Sequence, residues 1–415
     1  MQGAVTNAMP DASGRSGNAA NGPAPPQPLA AAGFSLAARE VKRNNMIRML
    51  SRGARCEKPD ATPASIFQQP AREPFALAFC GILPPQILFS IAQNGTPEER
   101  REALATLALS ERLRERRRLF AALPMAPPAG EKLRTVFDAH HGTTLPGAQV
   151  RSEREPPVSD DAVNEAYDGA GATYDLYFEV YGRNSIDGRG MRLDSSVHYG
   201  RAYDNAFWDG AQMVYGDGDG KLFERFTAAV DVIGHELTHG VTAREANLDY
   251  EGEPGALNES FSDVFGSLVK QRVMGQSAAE ADWLIGEDLF TPRVRGVALR
   301  SMKAPGSAYD DPVLGKDPQP ASMTDYVDTS EDDGGVHINS GIPNHAFYLA
   351  AVAIGGNAWE KAGQIWYDAL TKRLRHDSDF SSAAKETLAA TAERYGSSGP
   401  EAQAVSEAWK QVGVP

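Results

Sequence analysis

Within GHELTHG (234–240) two histidines stand four residues apart, with a glutamate beside the first. The stretch 227–244 carries a helical pattern, and on a helix positions i and i+4 project from one face about a turn apart. His235 and His239 can therefore share a metal ion, with Glu236 placed to act as general base on a water. A catalytic zinc site needs a third protein ligand and an open position. Beyond His239 the segment GALNESFSDVFGSL begins a second helical pattern and offers Glu259 as that ligand. Asp263, one turn on, and Asn258, beside Glu259, are placed to support the ligand set, Asp263 by fixing an imidazole tautomer. The chemistry implied is Zn²⁺-assisted hydrolysis.

The elements that must position these groups come in two kinds. From about 133 to 226, short β-type runs alternate with Gly, Asn and Asp turns, of which DGDG (217–220) is the clearest. From 227 onward the pattern turns helical, with amphipathic runs at 342–353, 357–374 and 381–395 and a last helix opened by Gly399-Pro400. Strands followed by helices predict an α+β protein: a β-rich N-terminal lobe and a mainly helical C-terminal lobe joined by the zinc-binding helix.

The front of the chain is different. Residues 1–33, rich in Gly, Ala, Pro and Asn, read as disordered. Residues 34–52, with Phe34, Leu36, Val41, Ile47 and Leu50 among Arg and Lys, read as a short amphipathic helix, and 53–74 as polar and punctuated by proline, so that 1–74 is an extension of unassigned role. The stretch FALAFCGILPPQILFSIA (75–92) carries no charge and approaches the length of a membrane span, but Pro84-Pro85 interrupts it. A helix follows, with Thr96 as its cap, Pro97, Glu98 and Glu99 in the first turn, and Leu104, Leu107, Leu109 and Leu113 as its apolar face. PMAPPAGEK (124–132) is the strongest boundary signal in the chain.

The net charge of −14 argues against nucleic acid and anionic lipid as partners, and no membrane span is expected. Its distribution says more. Residues 1–135 hold 18 Lys and Arg against 11 Asp and Glu, while the remainder holds 23 against 44. A basic front would be drawn to an acidic back, as a bound pro-segment should be. The two cysteines, Cys56 and Cys80, both lie in the front third, so no disulfide staples the main body.

With these motifs in view, residues 133–415 resemble the thermolysin family of zinc metalloproteases. Besides the two metal-binding segments, the resemblance rests on DNAFWDGAQMVYGDGDG (204–220), LRSMKAPG (299–306) and GGVHINSGIPNHAFYL (334–349). It implies a neutral endopeptidase with one catalytic Zn²⁺ on His235, His239 and Glu259 and with Glu236 as base. Tyr250 and His337 would stabilise the oxyanion, with Asp332 orienting His337. Asn205 and Ala206 would pair with the substrate backbone and Arg300 would hold a substrate carbonyl. Phe223, Val232 and Leu299 would line the pocket for the residue after the scissile bond, which favours cleavage before large apolar residues.

CGILPPQIL is similar to the Pro-Pro motif of the family's protealysin-like branch, with Gln86 in place of its usual third residue. That implies an inhibitory pro-segment at 75–123, a processing linker at 124–132, a catalytic N-lobe at 133–244 and a helical C-lobe at 245–415. Cys80 could add a thiolate to the zinc. Calcium, which relatives bind through clustered acids, is doubtful here, because Lys270 and Leu284 stand where glutamates are expected and Val297 replaces an aspartate. The expected partners are protein and peptide substrates and the chain's own pro-segment, with a monomeric enzyme. The family implies secretion, by a route without an ordinary signal peptide; a cytoplasmic location is the alternative. Two other functions stay open: an aminopeptidase, against which the lack of a Gly-x-Met-Glu-Asn segment speaks, and a catalytically silent zinc-binding protein.

Overall fold

The computed structural model describes residues 81–121 and 131–415. The extension 1–74, Cys80 and residues 122–130 of the linker region lie outside them. Among the described residues no helix is long and apolar enough to cross a membrane.

The first elements are α1 (Pro85–Asn94) and α2 (Pro97–Ala121). Pro85 sits in the first turn of α1, where a missing N–H breaks no helical bond, so the apolar run is broken at Pro84 as expected. Glu99 accepts hydrogen bonds from the hydroxyl and the N–H of Thr96, at 2.7 and 3.3 Å, and fixes the start of α2. The buried stripe of α2 is Ala103, Thr106, Ser110 and Leu113. Leu107 and Leu109 are half-buried, whereas Leu104, expected on the apolar face, is exposed. It follows Ala103 by one residue, and a rotation of about 100° carries it round to solvent.

A five-stranded sheet follows, from β1 (Arg134–Asp138), β2 (Ala148–Ser152), β3 (Leu193–Val197), β4 (Ala206–Trp208) and β5 (Met213–Tyr215), in the order β2-β1-β3-β5-β4. β1, β3 and β5 run parallel, and β4 lies at one edge, antiparallel to β5. An edge strand keeps one row of backbone groups free to pair with another chain.

The stretch 133–226 is not purely strand and turn. It also contains α3 (Asp161–Asp175), capped by Asp160 and continued by a wider turn at Leu176–Val180. The Gly-Ala-Gly that weakens its helical pattern serves packing instead. A Cβ at Gly169 would lie 2.3 Å from Ile233 Cδ1 on the next helix, α4 (Val230–Arg244), so a larger residue would force that side chain to move.

α4 is buried through nearly all its turns and packs on α5 (Gly252–Met274). A Cβ at Gly266 would lie 2.4 Å from the Asp231 carbonyl, which sets how close these two helices come. α6 (Asp332–Asn339), α7 (Gly341–Ile354), α8 (Lys361–Lys372), α9 (Phe380–Tyr395) and α10 (Pro400–Gln411) complete the helical part. The last three runs expected from periodicity match α7, α8 and α9, and Gly399 and Pro400 open α10. One apolar core joins α3, α4, α5 and the later helices, and it takes in Ile82, Leu83, Ile87, Leu88 and Ile91 from the front of the chain.

Candidate active site

α4 and α5 bring the metal-binding groups together. The Nε2 atoms of His235 and His239 are 3.1 Å apart, and the Glu259 carboxylate lies 3.4 Å from each. All three residues are buried. Their outer nitrogens are already engaged: His235 Nδ1 with Asp263 at 2.8 Å, and His239 Nδ1 with Asn258 at 2.9 Å and Ser262 at 3.1 Å. A proton on each Nδ1 turns the Nε2 lone pairs inward. Glu259 Oε2 is buried with no hydrogen-bond partner.

Two inward lone pairs and an orphaned carboxylate oxygen form a donor set that calls for a cation. Burial disfavours charge on His235, but Asp263 and Glu259 outweigh it and lift its pKa to about 9. A metal ion satisfies the same need for positive charge, so the residues present fit zinc. Glu259 stays ionised, because His337 and His239 overcome its burial and hold it well below the usual carboxylate range.

Asp263 is held in turn by Arg300, through Nε at 2.8 Å and Nη2 at 2.7 Å, and by Asn344 at 2.8 Å. Burial would raise its pKa, but Arg300 and His235 bring it down to about 2. Asp263→Asn should therefore weaken zinc binding by about 10–100-fold. Competition with a chromogenic chelator measures this without any turnover.

Glu236 lies on α4 beside the ligands, fully buried, and its Oε2 accepts the backbone N–H of Trp208 at 3.1 Å. The edge strand thus orients the carboxylate expected to act as base. Across the site the Tyr250 hydroxyl donates to Glu259 Oε1 and lies 3.3 Å from His337 Nε2. Asp332 accepts both the ring Nδ1–H of His337, at 2.6 Å, and its backbone N–H, at 2.8 Å. The approach to His337 is strained, with φ of 54° at Asp332 and 50° at Asp333 ahead of Gly334 and Gly335. Non-glycine residues there cost on the order of 1–3 kcal/mol each, and such strain concentrates at functional sites. Burial opposes a charge on His337, but Glu259 and Asp332 raise its pKa to about 9.

The groups expected to hold substrate are occupied by the chain itself. Asn205 Oδ1 accepts the N–H of Leu83 at 3.0 Å, and Arg300 Nη1 donates to the Ile82 carbonyl at 3.0 Å. Gly81 backs so closely on Ala206 that a Cβ there would lie 3.0 Å from the Ala206 carbonyl. Phe223, Val232 and Leu299 are fully buried in the core cluster that includes Ile82, with Phe223 packed against Phe226 and Phe290. Trp208 and Asn344 also serve the site, although motif spacing does not single them out. Trp208 contributes a backbone N–H, which any residue would supply, and Asn344 reaches Asp263 from α7, far away in sequence.

A buried His₂Glu centre, a further carboxylate on the same helix and two donors facing Glu259, set on this α+β frame, define a zinc metalloendopeptidase. Comparison with known proteins agrees. Residues 129–243 match the model of the thermolysin metallopeptidase catalytic domain, and residues 246–414 match that of the thermolysin metallopeptidase alpha-helical domain. The chain is 51% identical over 336 residues to an extracellular metalloprotease of Pectobacterium carotovorum subsp. carotovorum, covering 81% of this chain and 96% of that one. It is 46% identical over 342 residues to protease PrtS of a Photorhabdus species, covering 80% and 92%. The solved precursor of protealysin, a metalloproteinase from Serratia proteamaculans, matches with a TM-score of 0.75 and 53% identity, over 81% of this chain and 99% of that one. The chain belongs to the thermolysin family, and the resemblance extends to a precursor of the protealysin kind.

Proposed function

We propose that this endopeptidase cleaves before large apolar residues and is made as a latent precursor whose residues 75–123 occupy its own groove. The observation that carries latency is the pairing of Ile82 and Leu83 with Arg300 and Asn205, the two side chains assigned to substrate backbone. Bound zinc, held by His235, His239 and Glu259, supplies Lewis acidity and lowers the pKa of water. Glu236 takes the proton of the attacking water and Trp208 N–H keeps its carboxylate aimed. Tyr250 and His337, held by Asp332, donate to the developing oxyanion. Ala206 and Asn205 add the substrate as a further strand, and Phe223, Val232 and Leu299 shape the site for the residue after the cut.

Latency ends when the linker 124–132 is cut and 75–123 leaves the N-lobe (133–244) and C-lobe (245–415). The docked pro-segment carries a pH dependence. Burial, with Asp219 nearby, raises Glu99 on α2 to about 7 despite its bond to Thr96. A carboxyl raised on docking favours the docked state while protonated. Docking therefore weakens as pH climbs from the free value near 4.5 to about 7, and changes no further above that. The mature enzyme acts as a monomer on proteins and peptides outside the cell, consistent with relatives named extracellular.

The test compares linker-cut and uncut protein on amino-terminally blocked peptides with Leu or Glu after the scissile bond. Cut protein should cleave the Leu peptide, and uncut protein should be silent, more firmly at pH 5 than at pH 8. Activity of uncut protein equal to that of cut protein removes the latency reading. Cleavage of unblocked peptides alone would favour an aminopeptidase, and zinc binding without any cleavage a silent binder.

A further inference from the structure

Asp209 follows the edge strand β4 by one residue and is completely buried. Its Oδ1 builds the turn to β5 by accepting the N–H groups of Ala211 and Gln212, both at 2.9 Å. Its Oδ2 faces the pro-segment, where Arg116 of α2 reaches it with Nε at 3.1 Å and Nη2 at 3.0 Å. One oxygen thus serves the fold, and the other receives a cation from a segment that leaves on activation.

The direction of the bound chain tells what replaces that cation. Side chains alternate along a strand, so Asn205, Phe207 and Asp209 share a face. Leu83 is held at Asn205, and Gly81, two residues earlier, lies against the Asn205 side chain and reaches on to the Ala206 carbonyl. The bound segment therefore runs antiparallel to β4, with its earlier residues further toward Asp209. A substrate gripped by Asn205 and Arg300 runs the same way, so its amino-terminal side approaches Asp209. About 13 Å of strand separates Asn205 from Asp209. If Arg300 takes the carbonyl just after the cut, Asp209 faces the second or third residue before it.

α2 supplies that side of the groove with a pattern of its own. Leu113 joins the apolar cluster of Tyr199, Tyr203 and Phe207, and Arg116, three residues on and on the same helix face, meets Asp209. The groove's complement there is an apolar group followed by a basic one. We propose that in the mature enzyme Asp209 selects an arginine or lysine two or three residues before the scissile bond. This deepens the endopeptidase reading above and rests on it.

Blocked peptides sharing one scissile bond, with Arg, Leu or Glu at the second or the third preceding position, test the proposal on linker-cut protein. At one of the two positions kcat/KM should favour Arg over Glu by about tenfold or more at low salt, and the ratio should narrow in 1 M NaCl, roughly as expected where the Debye length falls to about 3 Å. Asp209→Asn keeps an oxygen for Ala211 and Gln212 and should bring the Arg-to-Glu ratio to about one. Equal cleavage of Arg and Glu peptides at both positions by the natural protein overturns the proposal, as does a preference that survives Asp209→Asn. If that variant does not fold, the salt dependence of the natural enzyme decides, and a preference indifferent to salt counts against Asp209. Failure to cut any blocked peptide removes the endopeptidase reading, and this proposal with it.

Discussion

Glu236→Gln is expected to keep its zinc and its fold while losing about 10²–10⁴-fold or more in kcat/KM, the usual worth of a positioned general base. The amide is nearly the same shape, and its carbonyl oxygen can still accept the Trp208 N–H that now meets Glu236 Oε2. The missing feature is an unprotonated oxygen that can take a proton. Metal content by atomic absorption should match the natural protein, because His235, His239 and Glu259 are untouched. Cleavage within the linker should stop as well if the chain cuts itself, and trace active enzyme added in trans should restore it. Near-normal turnover by a zinc-loaded Glu236→Gln protein would remove Glu236 from the mechanism. Loss of zinc together with activity would recast it as a structural support of the metal site.

The parts of this site that were legible in the sequence are those whose geometry is local. His235, Glu236 and His239 lie within a turn and a half of α4, and Asn258, Glu259 and Asp263 within two turns of α5, so helical periodicity alone predicts which face each takes. Their convergence is a tertiary fact, made possible by glycines such as Gly234 and Gly266 at the α4–α5 contact. The same small residues hid α3: Gly169 and Gly171 lower helix propensity, yet Gly169 is what admits Ile233. Contacts through backbone groups leave no trace in residue type, and so the Trp208 N–H on Glu236 and the Ile82 carbonyl on Arg300 were not foreseeable as pairs. Arg300 is singled out by the family resemblance and not by its spacing. Its bidentate grip on Asp263 ties the arginine expected to hold substrate to the carboxylate behind His235.

Lys270→Ala is expected to destabilise the protein by roughly 1–3 kcal/mol, less than a fully buried pair would cost, because Asp282 and Glu287 keep partial access to solvent while Asp231 is buried. The ammonium lies 2.9 Å from Asp282, 3.3 Å from Glu287 and 3.9 Å from Asp231, with the Leu284 carbonyl at 3.5 Å. Oxygen groups gathered round one positive centre are what a calcium ion would collect, and here a lysine collects them. Burial works against its charge, but Asp231 and Asp282 outweigh it and raise its pKa, so it stays cationic. Asp231 depends on it most. It is buried in the first turn of α4, and burial pushes its pKa up to about 6 even with Lys270 beside it. Because that pKa is raised, ionising Asp231 costs stability increasingly from about pH 4 to 6. Without the lysine the cost grows, so the variant should be weakest above pH 6 and recover in part near pH 5. Denaturation in urea at pH 5 and pH 8 measures both effects. For the natural protein, millimolar calcium and a calcium-selective chelator that spares zinc should give the same thermal midpoint. A shift of many degrees between them would show that an ion, and not Lys270, holds this cluster together.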